Sequence, residues 1–143
     1  MYQDLTHLTS SILAFRDARH WRPFHTPKDL ALALNIEAGE LAEIFLWKTE
    51  AEADEMANDP ARRTAIADEL ADVTIYALLL AHHYGIDLGE AVVAKLDKNE
   101  LKYPVERARG NARKYTEFEE LGSTRARRSS SSATPCATRW RTG

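Results

Sequence analysis

At 143 residues the chain has the length of a single domain with one hydrophobic core. Its 44% hydrophobic and 29% charged content is ordinary for a globular protein, and no apolar run approaches the roughly 20 residues that a membrane helix needs. The formal charge of −3 is unevenly spread: residues 121–143 hold five arginines and no acid, leaving 14 basic against 22 acidic residues in 1–120, a net of −8. So acidic a body is the wrong sign for a nucleic-acid-binding face. A nucleotide substrate is still allowed, because a bound cation can reverse the local charge.

Helical spacing dominates from the start. Leu5, Leu8, Ile12 and Phe15 fall at steps of three and four and predict an amphipathic helix over about residues 2–19. The stretch from His20 to His25 breaks it, with Pro23 and Pro27 as punctuation. Thr26 then reads as an N-cap, Pro27 as the first helical residue, and Asp29 as a first-turn acid facing the positive helix end. Leu30, Leu34, Leu41 and Phe45 give this second helix a core-facing side to about Trp47 or Lys48. Residues 49–59 are polar and acidic and are expected to form a solvated loop or frayed turn.

Asp59-Pro60 starts a third helix, in which Ile66, Leu70, Val73, Ala77 and Leu80 form the inward stripe and Gly85 the stop. Asp87 and Glu90 open a fourth, which Tyr103-Pro104 ends. Strand signals are nearly absent. The expected architecture is an all-α four-helix bundle over residues 1–120. The Arg/Ser/Thr-rich segment 121–143, with serines at 129–132, has too little apolar surface to offset its ordering entropy and is expected to be disordered. A single cysteine, Cys136, excludes an internal disulfide or a cysteine-based metal cluster. The first residues show no basic-then-apolar leader, so the cytoplasm is the expected compartment.

Two acidic pairs carry the chemistry. Residues three apart in an α-helix are side by side on one face, so Glu37 neighbours Glu40 and Glu69 neighbours Asp72. Both pairs sit among apolar positions expected to be buried, where unpaired carboxylates are costly. The second helix has no basic residue between Lys28 and Lys48, and the third none between Arg63 and Lys95. An oxygen-ligated divalent cation meets the need, Mg²⁺ first and Mn²⁺ second. A ferritin-like di-iron site would want Glu-x-x-His, and neither His82 nor His83 has a Glu three residues before it.

The run Glu37-Ala38-Gly39-Glu40-Leu41-Ala42-Glu43, followed by Glu69-Leu70-Ala71-Asp72-Val73, resembles the signature of MazG-like all-α nucleoside triphosphate pyrophosphohydrolases, in particular their dCTP pyrophosphatase branch. The likeness spans about residues 5–118 and includes Trp21-x-x-Phe24-His25-x-Pro27, Trp47-Lys48, Lys95-x-Asp97-x-Asn99, Tyr103-Pro104, Ala108-Arg109 and Arg113-Lys114-Tyr115. It implies hydrolysis between the α- and β-phosphates of a nucleoside triphosphate, dCTP or a modified dCTP among the substrates. Glu37, Glu40, Glu69 and Asp72 would be the metal ligands, with Glu40 or Glu43 taking the proton of the attacking water. Lys95, Asn99, Arg109, Arg113 and Lys114 would meet the triphosphate, and Trp21, His25, Trp47 and Tyr76 the base. A homodimer or homotetramer is implied as well. One departure is Leu46, where the branch commonly carries glutamine before the tryptophan. The competing reading is a non-catalytic helical oligomerisation or interaction module in which the acids are incidental.

Overall fold

The computed structural model describes residues 4–118. The chain divides into two compact units between Val92 and Val93. Among the described residues the secondary structure is helical, with no strand. The six helices are α1 (Leu5–Asp17), α2 (Pro27–Phe45), α3 (Glu50–Glu55), α4 (Pro60–His83), α5 (Leu88–Lys102) and α6 (Val105–Ala108). Single 3₁₀ turns occupy Arg22–Phe24 and Met56–Asn58. The four long helices expected from the sequence are thus present, as α1, α2, α4 and α5. The expected tail, 121–143, lies outside the described residues.

Local chemistry sets the helix ends. The Thr26 hydroxyl accepts from the Asp29 backbone N–H at 3.2 Å and donates to the Asp29 carboxylate at 2.6 Å, fixing the start of α2. Asp59 does the same for α4, accepting from the N–H groups of Ala61 and Arg62. At the far end of α4, Gly85 adopts φ +62°, its N–H donates to the His82 carbonyl and the Ile86 N–H to the Ala81 carbonyl. This pair of hydrogen bonds is the Schellman closure, and its left-handed residue is the position where glycine is least strained. Helix α1 closes in the same way, with the Trp21 N–H reaching the Arg16 carbonyl, but His20 occupies the left-handed position at φ +53°.

The loop expected over 49–59 is instead the short helix α3 and a 3₁₀ turn. Thr49 and Glu52 form a reciprocal capping box, which supplies the local stability that the polar composition hides. Within the first unit α2 packs along α4, and α1 and the 56–58 turn also rest on α4. Leu30, Met56, Leu78, Leu79 and Ala81 are its buried core, while Phe118 is buried in the second unit. Several inward expectations fail. Leu5, Phe15, Phe45 and Leu70, all placed on inward stripes, are 44%, 54%, 38% and 50% exposed, so each stripe is covered over only part of its length. Helix α2 also stops at Phe45, short of Trp47, whose φ of +62° cannot continue it.

Candidate active site

Helices α2 and α4 bring the two acidic pairs together. One carboxylate oxygen from each of Glu37, Glu40 and Glu69 lies within 4.8 Å of the others. Glu37 and Glu69 are half-buried, and Glu40 is exposed. The only described ion pairs are Arg16–Asp17 and Lys28–Asp29, so among the described residues no cation neutralises the trio. Glu69 Oε2 is buried with no hydrogen-bond partner among the described residues. A polar atom left like this in a native fold asks for a partner from outside the chain.

The crowding shows in the proton equilibria. Desolvation raises the Glu37 carboxyl above its usual range, reinforced by the charges of Glu40, Asp72 and Glu69 in that order. Desolvation also raises Glu69, with Glu40, Asp72 and Asp68 adding to it. Asp72 therefore lies close enough to act on both, though it falls outside the tight trio. Glu43, one turn beyond Glu40, is exposed and does not join the trio either.

Beside the acids lies a cavity of about 440 Å³ formed by α1, the turn before α2, and α4. Its walls include Ile12, Phe15, Trp21, His25, Tyr76 and Asp72. The His25 ring is flanked by Trp21 at 6.3 Å and Tyr76 at 6.5 Å between centroids, and Phe15 meets Trp21 edge-on at 6.0 Å. His25 Nδ1 is buried without a partner among the described residues, and burial followed by the nearby Arg16 charge lowers the imidazole's affinity for a proton. Burial, then Glu37 and Asp72, raises the Tyr76 hydroxyl. An aromatic chamber with few polar atoms thus opens onto an acidic cluster, and Asp72 belongs to both.

Other expected site residues lie elsewhere. Trp47 is 91% exposed at the end of α2 and does not line this cavity. Lys95, Asn99, Arg109, Arg113 and Lys114 belong to the second unit. There Asn99 is half-buried, its carbonyl accepting from the Tyr103 N–H at 2.8 Å, while the other four are exposed. The Arg113 N–H is held by the Asn111 side chain at 3.2 Å. Sequence reasoning passed over Arg16, which lines the aromatic cavity. The available signal was its position four residues after Ile12, on the inward stripe of α1.

Comparison with known proteins agrees with this arrangement. The chain is 45% identical to dCTP pyrophosphatase 1 of Rattus norvegicus over 116 residues, which is 81% of this chain and 66% of the rat protein. The Homo sapiens protein of that name is 44% identical over the same length and the same shares. The match therefore spans just under two thirds of those relatives. A crystal structure of a pyrophosphatase from Archaeoglobus fulgidus superposes with a TM-score of 0.64 at 40% identity, covering 73% of this chain and 95% of that one. Residues 32–118, which contain both acidic pairs, match the MazG-like family, and the chain belongs to it.

Proposed function

We propose that this chain is a Mg²⁺-dependent nucleoside triphosphate pyrophosphohydrolase that cleaves a dNTP or NTP to the monophosphate and pyrophosphate, with dCTP or a modified dCTP in its range. The observation that carries this reading is the carboxylate trio, unpaired among the described residues and contiguous through Asp72 with an aromatic cavity roomy enough for a nucleobase. The names of the relatives support the reaction type. Clearing surplus or abnormal nucleotides from the cytoplasm is the role in keeping with it.

The donor set fits a hard divalent cation: it is all carboxylate oxygen, and Glu69 Oε2 lacks any other partner among the described residues. Glu37, Glu40, Glu69 and Asp72 would hold the ion, Mg²⁺ in the first instance and Mn²⁺ as a substitute. When bound, it offsets phosphate charge and acidifies a water. Glu40 belongs to the trio and is the better placed of the two expected proton acceptors, with Glu43 supporting it from the next turn. Trp21, His25 and Tyr76 would receive the base by stacking and by the free His25 nitrogen. Trp47, Lys95, Asn99, Arg109, Arg113 and Lys114 are assigned to substrate on family likeness, the cations to the triphosphate.

Self-association belongs to the same proposal. Leu32 and Ile36, one turn apart on α2, are 55% and 57% exposed, and a second copy in a homodimer or homotetramer would cover them. Light scattering against the 16.1 kDa chain mass tests it.

The deciding experiment is a panel of nucleoside triphosphates incubated with the protein and Mg²⁺. Pyrophosphate should appear in step with the monophosphate; release of orthophosphate alone would overturn the reaction. Glu69→Ala separates the enzyme from an interaction module. An enzyme loses turnover and its metal-dependent thermal stabilisation, whereas a module keeps its assembly and shows no metal effect.

A further inference from the structure

Arg16 is an unusual residue for the wall of an aromatic chamber. It stands on α1 with only 12% of its side chain exposed, and it borders both the chamber and a neighbouring polar cavity that His25 also lines. Asp17 holds one edge of the guanidinium: its Oδ1 accepts from Nε at 2.7 Å and lies 2.6 Å from Nη2. Nη1 has no acceptor among the described residues, so the end of the fork, Nη1 with the second N–H of Nη2, is open. The guanidinium is planar and carries no acceptor, so whatever meets that end must offer two lone pairs side by side.

Nucleobases divide cleanly on this point. Cytosine has adjacent acceptors at O2 and N3, and guanine at O6 and N7. Adenine sets its amino donor beside N1 and N7 and leaves N3 with no adjacent acceptor, and thymine interposes N3–H between its two carbonyls. Asp17 fixes the guanidinium plane before any ligand arrives, which limits the entropy lost on binding. We infer that Arg16 is the specificity-determining residue of the chamber and selects bases with two adjacent acceptors on one edge. The inference rests on the pyrophosphohydrolase reading above and deepens it.

The test measures kcat/KM for pyrophosphate release from dCTP, dGTP, dATP and dTTP in the full-length protein, Arg16→Ala and Arg16→Lys. Binding of the four corresponding monophosphates in EDTA, followed by calorimetry, gives a readout independent of metal and turnover. The wild type should prefer dCTP, dGTP or both over dATP and dTTP, and the two arms distinguish pyrimidine from purine. Arg16→Ala should lower the preferred substrate by about 10- to 100-fold, mostly through KM, the discrimination one bidentate pair supplies. dATP and dTTP should change little, and monophosphate affinities should follow the same order. Arg16→Lys keeps the charge near Asp17 but not the fork, so it too should lose the preference; it decides the question if the alanine variant does not fold. Equal losses on all four substrates, or a wild type indifferent to the base, would overturn the role of Arg16 while leaving the hydrolase standing. No pyrophosphate from any nucleotide would overturn the hydrolase reading itself.

Discussion

Glu37→Gln should change the sign of its effect on stability when metal is added. The substitution keeps the shape of the side chain and removes one charge. Oxygens of Glu37 and Glu40 come within 4.8 Å of each other, a separation at which two unit charges repel by about 0.9 kcal/mol even at the dielectric of water. A domain of this size shifts by about 4 °C per kcal/mol, so the metal-free variant should melt about 4 °C above the wild type at low salt. Added salt should shrink the gap. With Mg²⁺ the order reverses. A ligand at 100 times its dissociation constant adds about 2.7 kcal/mol to the native state, roughly 10 °C on the same scale. Loss of an outer partner alone weakens metal sites by about 10- to 100-fold, so loss of a carboxylate ligand should cost at least about tenfold in Mg²⁺ affinity. Thermal melts of both proteins in EDTA and across a Mg²⁺ series make the measurement. A variant that melts below the wild type in EDTA, or that gains as much from Mg²⁺, would refute the reasoning.

The pH profile of the metal-free protein follows from the same crowding. Folding raises the carboxyls of Glu37 and Glu69 above their ordinary 4.5, so their contribution is fully present below that pH and is lost as pH rises through the raised values. Denaturant titrations in EDTA from pH 4 upward should show the advantage of Glu37→Gln growing with pH, and apparent Mg²⁺ affinity of the wild type should climb over the same window because ligation needs the ionised form. Thr49→Ala removes the hydroxyl half of the capping box and should cost about 1 kcal/mol, read as a lower denaturation midpoint; an unchanged midpoint would mean that α3 adds nothing to the fold. His20→Gly should raise the melting temperature, since a left-handed conformation costs a non-glycine residue about 1–2 kcal/mol and glycine's extra chain entropy returns only about 0.5–1. A fall would show that the His20 side chain holds the turn by contacts that outweigh its backbone strain.

Helix ends were the most legible part of the sequence, because their chemistry is local. Thr26-Pro27, Asp59-Pro60 and Gly85 each act within a few residues, and each does in the structure what its type predicts. The capping box Thr49-x-x-Glu52 was equally local, but the polar composition around it favoured a loop. The acidic pairs were legible as pairs because three residues make nearly one turn. Which three of the four draw closest was not, since that depends on how α2 and α4 are rotated against each other. Arg16 was hidden for a related reason: a cation on an inward stripe acquires meaning only when a cavity forms beside it.

That rotation explains why the site lies where it does. On α4, Glu69, Asp72, Tyr76 and Leu79 follow at steps of three, four and three, a single stripe down one face. Along it the residue type grades from buried leucine, through a half-buried tyrosine, to two half-buried acids. On α2, buried Leu30 and half-buried Leu34, Glu37 and Leu41 repeat the pattern, with an acid standing where a coiled pair of helices would place a hydrophobe. The packing face that joins α2 to α4 is therefore continuous with the site: half-buried Glu37, Glu69 and Asp72 stand on the packing stripe, and exposed Glu40 flanks it. Apolar residues there would stabilise the metal-free fold, as the raised carboxyls of Glu37 and Glu69 indicate. On the metal-dependent function proposed above, carboxylates at those positions would recover the lost stability when a cation binds.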